Sequence, residues 1–111
     1  MELVVVQRVE GGQIITPNAS GGITVVAARD ATDRMRVMGY RIQIHGATKG
    51  YNTYIEGTAA TRISGPVYSD ASGLDYVQDN LNIQLQAGED VQIRSRTDGT
   101  IVWAVILENE E

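Results

Sequence analysis

Ile101-Val102-Trp103-Ala104-Val105-Ile106-Leu107 is an apolar run with no polar residue in it. It follows two segments of strict period-two alternation. Leu81, Ile83 and Leu85 alternate with Asn82, Gln84 and Gln86, and Val91 and Ile93 alternate with Gln92 and Arg94. Alternation buries one face of a strand, whereas an unbroken run needs cover on both. In a chain of 111 residues a second protomer is a natural source of that cover. Leu3-Val4-Val5-Val6, near the other end, has the same character.

The rest of the chain is also read as strands joined by tight turns. The first strand is expected over 2–9, with a turn at Glu10-Gly11-Gly12. A brief pairing over 13–16 precedes the Pro17-Asn18-Ala19-Ser20-Gly21-Gly22 loop, and a strand over 23–28 follows it. A charged turn at 29–33 has Asp30 or Thr32 as its cap. In the next strand Met38, Tyr40, Ile42 and Ile44 are expected on one face, and Gly39, Arg41, Gln43 and His45 on the other. Further strands are expected over 51–56 and 61–64, with an edge at Val67-Tyr68, where the preceding Pro66 is tolerated. Residues 69–79 read as a long acidic connection, and strands over 80–86, 91–96 and 100–108 complete the set. The outcome is a single all-β domain, 1–111, an antiparallel sandwich, jelly roll or barrel of about eight strands.

Composition narrows the function classes. The formal net charge of −5 disfavours nucleic acid and anionic membranes as partners. Eight of the nine basic residues are arginine, and Arg29, Arg34, Arg36 and Arg41 cluster in sequence; a solvated or subunit-contacting face is the plainer reading than an anion site. There is no cysteine, hence no disulfide framework and no thiolate metal site. No apolar stretch has the length of a membrane span, so a soluble protein is expected.

Candidate chemistry is sparse. His45 is the only histidine and stands beside no serine in a nucleophile-elbow setting; Ser64 precedes Gly65-Pro66 and Ser72 sits in a loop. Neither Asp30 with Asp33, nor Asp70 with Asp75 and Asp79, matches a calcium-loop signature, although weak metal binding in these loops stays open. Asn18-Ala19-Ser20 fits the glycosylation sequon only as a mark of an exposed loop. Tyr51, Tyr54, Tyr68 and Tyr76 suit either packing or a sugar-binding shelf. No catalytic residue, cofactor site or metal site is assigned.

The stretch from about 35 to 107 resembles the small jelly-roll proteins that decorate phage heads. The likeness lies in Met38-Gly39-Tyr40-Arg41-Ile42, in Ile63-Ser64-Gly65-Pro66, in the acidic loop after it, in the strand from Leu81 to Leu85, in the Ala87-Gly88-Glu89 turn and in the apolar last strand. The last two strands also look like the trimeric β-sandwich heads of the tumour-necrosis-factor and complement type. These resemblances imply an antiparallel jelly roll that closes as a homotrimer, with the first and last strands near the axis. They imply a capsid decoration, or cement, protein of the bacteriophage virion, assembled in the host cytoplasm and partnered by the major capsid protein and by itself. On this reading Leu3, Val5, Ile101, Trp103, Val105 and Leu107 form the oligomer interface. Ile14, Ile15, Ile23 and Val25, in a stretch without charge from 11 to 28, face the capsid. The alternative is a carbohydrate- or receptor-binding tip of a phage tail or fibre using Tyr51, Tyr54 and Tyr76.

Overall fold

The structure is a computed structural model that describes residues 5–14, 22–48, 51–65, 67–69 and 73–110. Among the described residues there are nine strands: β1 (Val5–Ile14), β2 (Ile23–Val26), β3 (Arg36–His45), β4 (Tyr51–Gly57), β5 (Val67–Ser69), β6 (Leu74–Gln78), β7 (Ile83–Gln84), β8 (Val91–Ser95) and β9 (Thr100–Glu110). One sheet has the order β1-β9-β3-β6, with β7 also paired to β3; the other has the order β2-β8-β4-β5. The partners are nested: β1 with β9, β2 with β8, β3 with β6 and β4 with β5, all antiparallel. A long antiparallel ribbon folded over on itself into two four-stranded layers is a jelly roll. The short β7 is an insertion before the seventh strand of that plan.

The core lies between the two sheets. Val37, Tyr40, Ile42 and Ile44 of β3 and Ile101, Trp103, Val105 and Leu107 of β9 meet Ile55 of β4 and Val91 and Ile93 of β8, all buried. Burying each such side chain stabilises the fold by about 1.5–3 kcal/mol. The apolar run of β9 is explained by its place between β1 and β3. Its odd-numbered residues fill the core, while Val102, Ala104 and Ile106 on the outer side are half-covered by neighbouring strands.

Three local expectations are corrected. No turn forms at Glu10-Gly11-Gly12: β1 continues through both glycines to Ile14, opposite Ile101. Gly12 makes room for the Trp103 indole, and Gly11 lies close against the backbone of β9. A Cβ on Gly11 would lie 3.1 Å from the Trp103 carbonyl oxygen, and one on Gly12 would lie 3.2 Å from its indole ring. In β3, Tyr40, Ile42 and Ile44 do point inward, but Val37 takes the buried place and Met38 is only half-buried. A bulge between Val37 and Gly39 inserts one residue against β9 and switches the faces there. The long connection after 69 contains β6, and the strand expected over 80–86 shrinks to the two residues of β7.

Candidate functional site

The outer face of the larger sheet is assembled from cross-strand rows. Register places Gly11, Ala104, Arg41 and Val77 in one row, Gln13, Val102, Gln43 and Asp75 in the next, and Val9, Ile106 and Gly39 in a third. Val9 is 67% exposed and Val77 59%, the two most exposed large aliphatic side chains among the described residues. Glycine at positions 11 and 39 keeps the surface between them low. Arg41 donates two hydrogen bonds to the Asp75 carboxylate, at 3.2 and 3.0 Å, and polar Gln43 and Gln13 flank the pair's side of the face. Hydrogen bonds from Arg41 and Gln43 hold the Asp75 carboxyl below its ordinary range. The face is therefore mixed in polarity, and no nucleophile–base pair stands on it among the described residues.

The same sheet ends at β1. Among the described residues this ten-residue strand is paired along one side only, to β9. Its inner-facing Arg8 and Glu10 form an ion pair at 3.1 Å, and Arg8 also reaches the Met35 sulfur at 3.5 Å. The Arg8 Nε is buried with no acceptor among the described residues.

A pocket of about 440 Å³ opens at one end of the sandwich, lined by Arg29, Asp30, Asp33, Arg34, Arg36 and Glu108 among others. Here the arginine cluster read from the sequence is sorted: Arg29, Arg34 and Arg36 border the pocket, and Arg41 stands apart with Asp75. Asp33 organises the floor. Its carboxylate accepts from the Arg29 backbone N–H at 2.9 Å, the Arg29 guanidinium at 3.2 Å and the Asn109 amide at 2.9 Å. Burial pushes the Asp33 carboxyl up, and these hydrogen bonds outweigh it and hold it below its ordinary range. Asp30 caps the turn, accepting from the Thr32 N–H at 2.8 Å and hydroxyl at 2.7 Å. With acid and base interleaved, the pocket holds its own charges in place rather than presenting a uniform field.

Glu89 is a second buried carboxylate, and sequence reading saw only its turn. It accepts hydrogen bonds from the N–H groups of Ala59, Thr61 and Gln86 and from the Thr61 hydroxyl, at 2.7 to 3.2 Å. Burial pushes its carboxyl up, and the N–H and hydroxyl donors bring it below its ordinary range. It pins the turn after β4 to the turn before β8, a structural task.

The predicted contact residues divide as follows. Ile101, Trp103, Val105 and Leu107 are buried against the chain's own second sheet. Val5 opens β1 opposite Glu110. Ile14 and Val25 are half-buried and pack on the core, and Ile23 is half-buried opposite Ile93. Leu3, Ile15, the Asn18-Ala19-Ser20 sequon, Asp70 and Ser72 lie outside the described residues. His45 is exposed at the end of β3, in register with Thr100. Tyr76 stacks on Tyr40 with ring centroids 6.0 Å apart, on the larger sheet, whereas Tyr54 and the 63%-exposed Tyr68 belong to the smaller one. Tyr54 and Tyr76 are thus not brought together. Among the described residues no group of three His, Cys, Asp or Glu side chains is placed to hold a metal ion.

No protein-family model matches the chain, and no curated protein matches its sequence at a significant level.

Proposed function

We propose that this jelly roll is a structural protein that decorates a phage capsid, seated on the lattice as a homo-oligomer and acting by binding rather than turnover. The observation that carries the reading is the outer face of the larger sheet. On this face exposed Val9 and Val77, on the two edge strands, are linked by half-covered Val102, Ala104 and Ile106 of β9, and the Arg41–Asp75 pair lies next to Val77. A contiguous apolar patch rimmed by polar residues marks an interaction surface. The three phrases that resemble head-decorating proteins serve this scaffold. Met38-Gly39 forms the bulge of β3, the Ser64 hydroxyl accepts from the Ile55 N–H at 2.8 Å, and Gly88-Glu89 makes the turn into β8. Several copies held together would engage several shell subunits at once, and linked weak contacts become strong ones.

Co-sedimentation of the purified chain with assembled capsids tests the reading. Retention on shells, weakened by Val77→Lys on the outer face, is the expected result. A chain that stays in the supernatant with every candidate shell would overturn it.

A further inference from the structure

From the open edge of β1 we infer that two copies of this chain pair their β1 strands antiparallel about a twofold axis through Val9, joining the two larger sheets into one continuous sheet. β1 is the longest edge strand among the described residues, at ten residues; it has no proline, and its only charged side chains are Arg8 and Glu10. An uncovered edge of that length offers a row of backbone donors and acceptors to another strand. The occupant is identified by charge. With the axis at Val9, Arg8 stands opposite Glu10 of the second copy, and Glu10 opposite that copy's Arg8. Any axis at Arg8 or at Glu10 would set like charges face to face. The strand is therefore self-complementary in one register only, and opposite charges directly across a pair stabilise it while like charges oppose it.

Three further features fit that register. Arg8 and Glu10 keep 31% and 43% of their side chains exposed, so each can reach across to a new partner. The Arg8 Nε, without an acceptor among the described residues, would sit beside a second carboxylate. Val9, 67% exposed, meets its own symmetry mate at the axis, which removes the most exposed aliphatic side chain from water. Gly11 falls opposite Gln7 and leaves that approach unobstructed. The outer faces of both copies then lie on one side of the joined sheet and double the surface offered to a shell. Such a contact is isologous and closes at two copies, in place of the three that the trimeric resemblance implies.

The proposal is tested by analytical ultracentrifugation of the full-length chain. A dimer is expected. Val9→Lys, at an exposed position that spares the fold, raises the dimer dissociation constant about tenfold or more by setting two ammonium groups on the axis. Arg8→Glu and Glu10→Arg each weaken the dimer, and the two together restore it, because the swap keeps opposite charges facing. Val9→Cys supplies the only thiol and forms a cross-linked dimer with a short bismaleimide. A monomer or trimer, a dimer indifferent to Val9→Lys, or a double swap no better than either single change would each overturn the inference. Capsid co-sedimentation reads separately when run on the Arg8→Glu monomer, whose change lies on the inner face of β1 away from the proposed capsid contact: a monomer that still binds shells leaves the functional reading standing.

Discussion

Gly57 lies directly against the Glu89 carboxylate, so close that a side chain at position 57 would occupy the space of the Glu89 oxygens. A flexible glutamate could normally swing aside. This one is buried and fixed by four hydrogen bonds from two turns, so displacing it breaks the joint between them.

Two substitutions test that joint. Glu89→Ala strands the N–H groups of Ala59, Thr61 and Gln86 without their acceptor, and a loss of about 3 kcal/mol is expected. Gly57→Ala is expected to cost about 2 kcal/mol by pushing the carboxylate out of place. Chemical denaturation measures both, and wild-type midpoints for either would contradict the geometry.

Trp103 is the only tryptophan, 8% exposed, with its ring over Gly12. Its fluorescence is expected to be blue-shifted in the native state and to move red on unfolding. Trp103→Ala should cost about 3–5 kcal/mol. Gly12→Val, on the edge strand itself, should lower the melting temperature and red-shift the emission by forcing the indole from its place.

Acid sensitivity follows from Asp33 and Glu89. Both carboxyls sit below their ordinary values in the folded protein, because hydrogen bonding to the charged form outweighs burial. A depressed folded-state pKa contributes stability that is present above the unfolded value and lost as pH falls through the folded one. The melting temperature should therefore hold from neutrality to about pH 5 and decline below the ordinary carboxylate range near pH 4. Asp33→Asn and Glu89→Gln should each be less stable at pH 7 and show a shallower decline with acid.

His45 and Asp75 provide the contrast. Both are exposed on the outer side of the larger sheet, and exposed ion pairs add little to stability. His45→Ala and Asp75→Ala should leave the melting temperature unchanged. A loss of capsid retention in Asp75→Ala alone, with the fold intact, would place the Arg41–Asp75 pair within the contact.

Much of this architecture is legible in the residues, and the exceptions have physical causes. Period-two alternation locates β4, β8 and the inward set Tyr40, Ile42 and Ile44, because those strands each bury one face, and the unbroken apolar run locates β9, whose odd residues are buried and whose even ones are half-covered. β6 escapes notice because it is an edge strand with Asp75 and Gln78 in it, and its acidity reads as loop. Gly11-Gly12 reads as a turn because a glycine pair gives the same local signal whether it bends the chain or makes room for an indole; only the distant Trp103 tells them apart. The pocket beside Asp33 joins residues 29–36 to 108–109, and the Glu89 network joins 59–61 to 86–89. Both depend on long-range strand pairing that no local pattern encodes.

The pairing of β1 with β9 also sets when this protein can reach its native state. Val5 lies opposite Glu110, so β1 lacks its partner strand until β9 has been made. Nearly every other strand waits in the same way, each inner pair enclosed by the one outside it. Contacts so distant along the polypeptide make for slow, late and concerted folding. A nascent chain stalled before β9 leaves Ile42 without Trp103 and Ile44 without Ile101, which makes the codons of β9 decisive for yield in a cell.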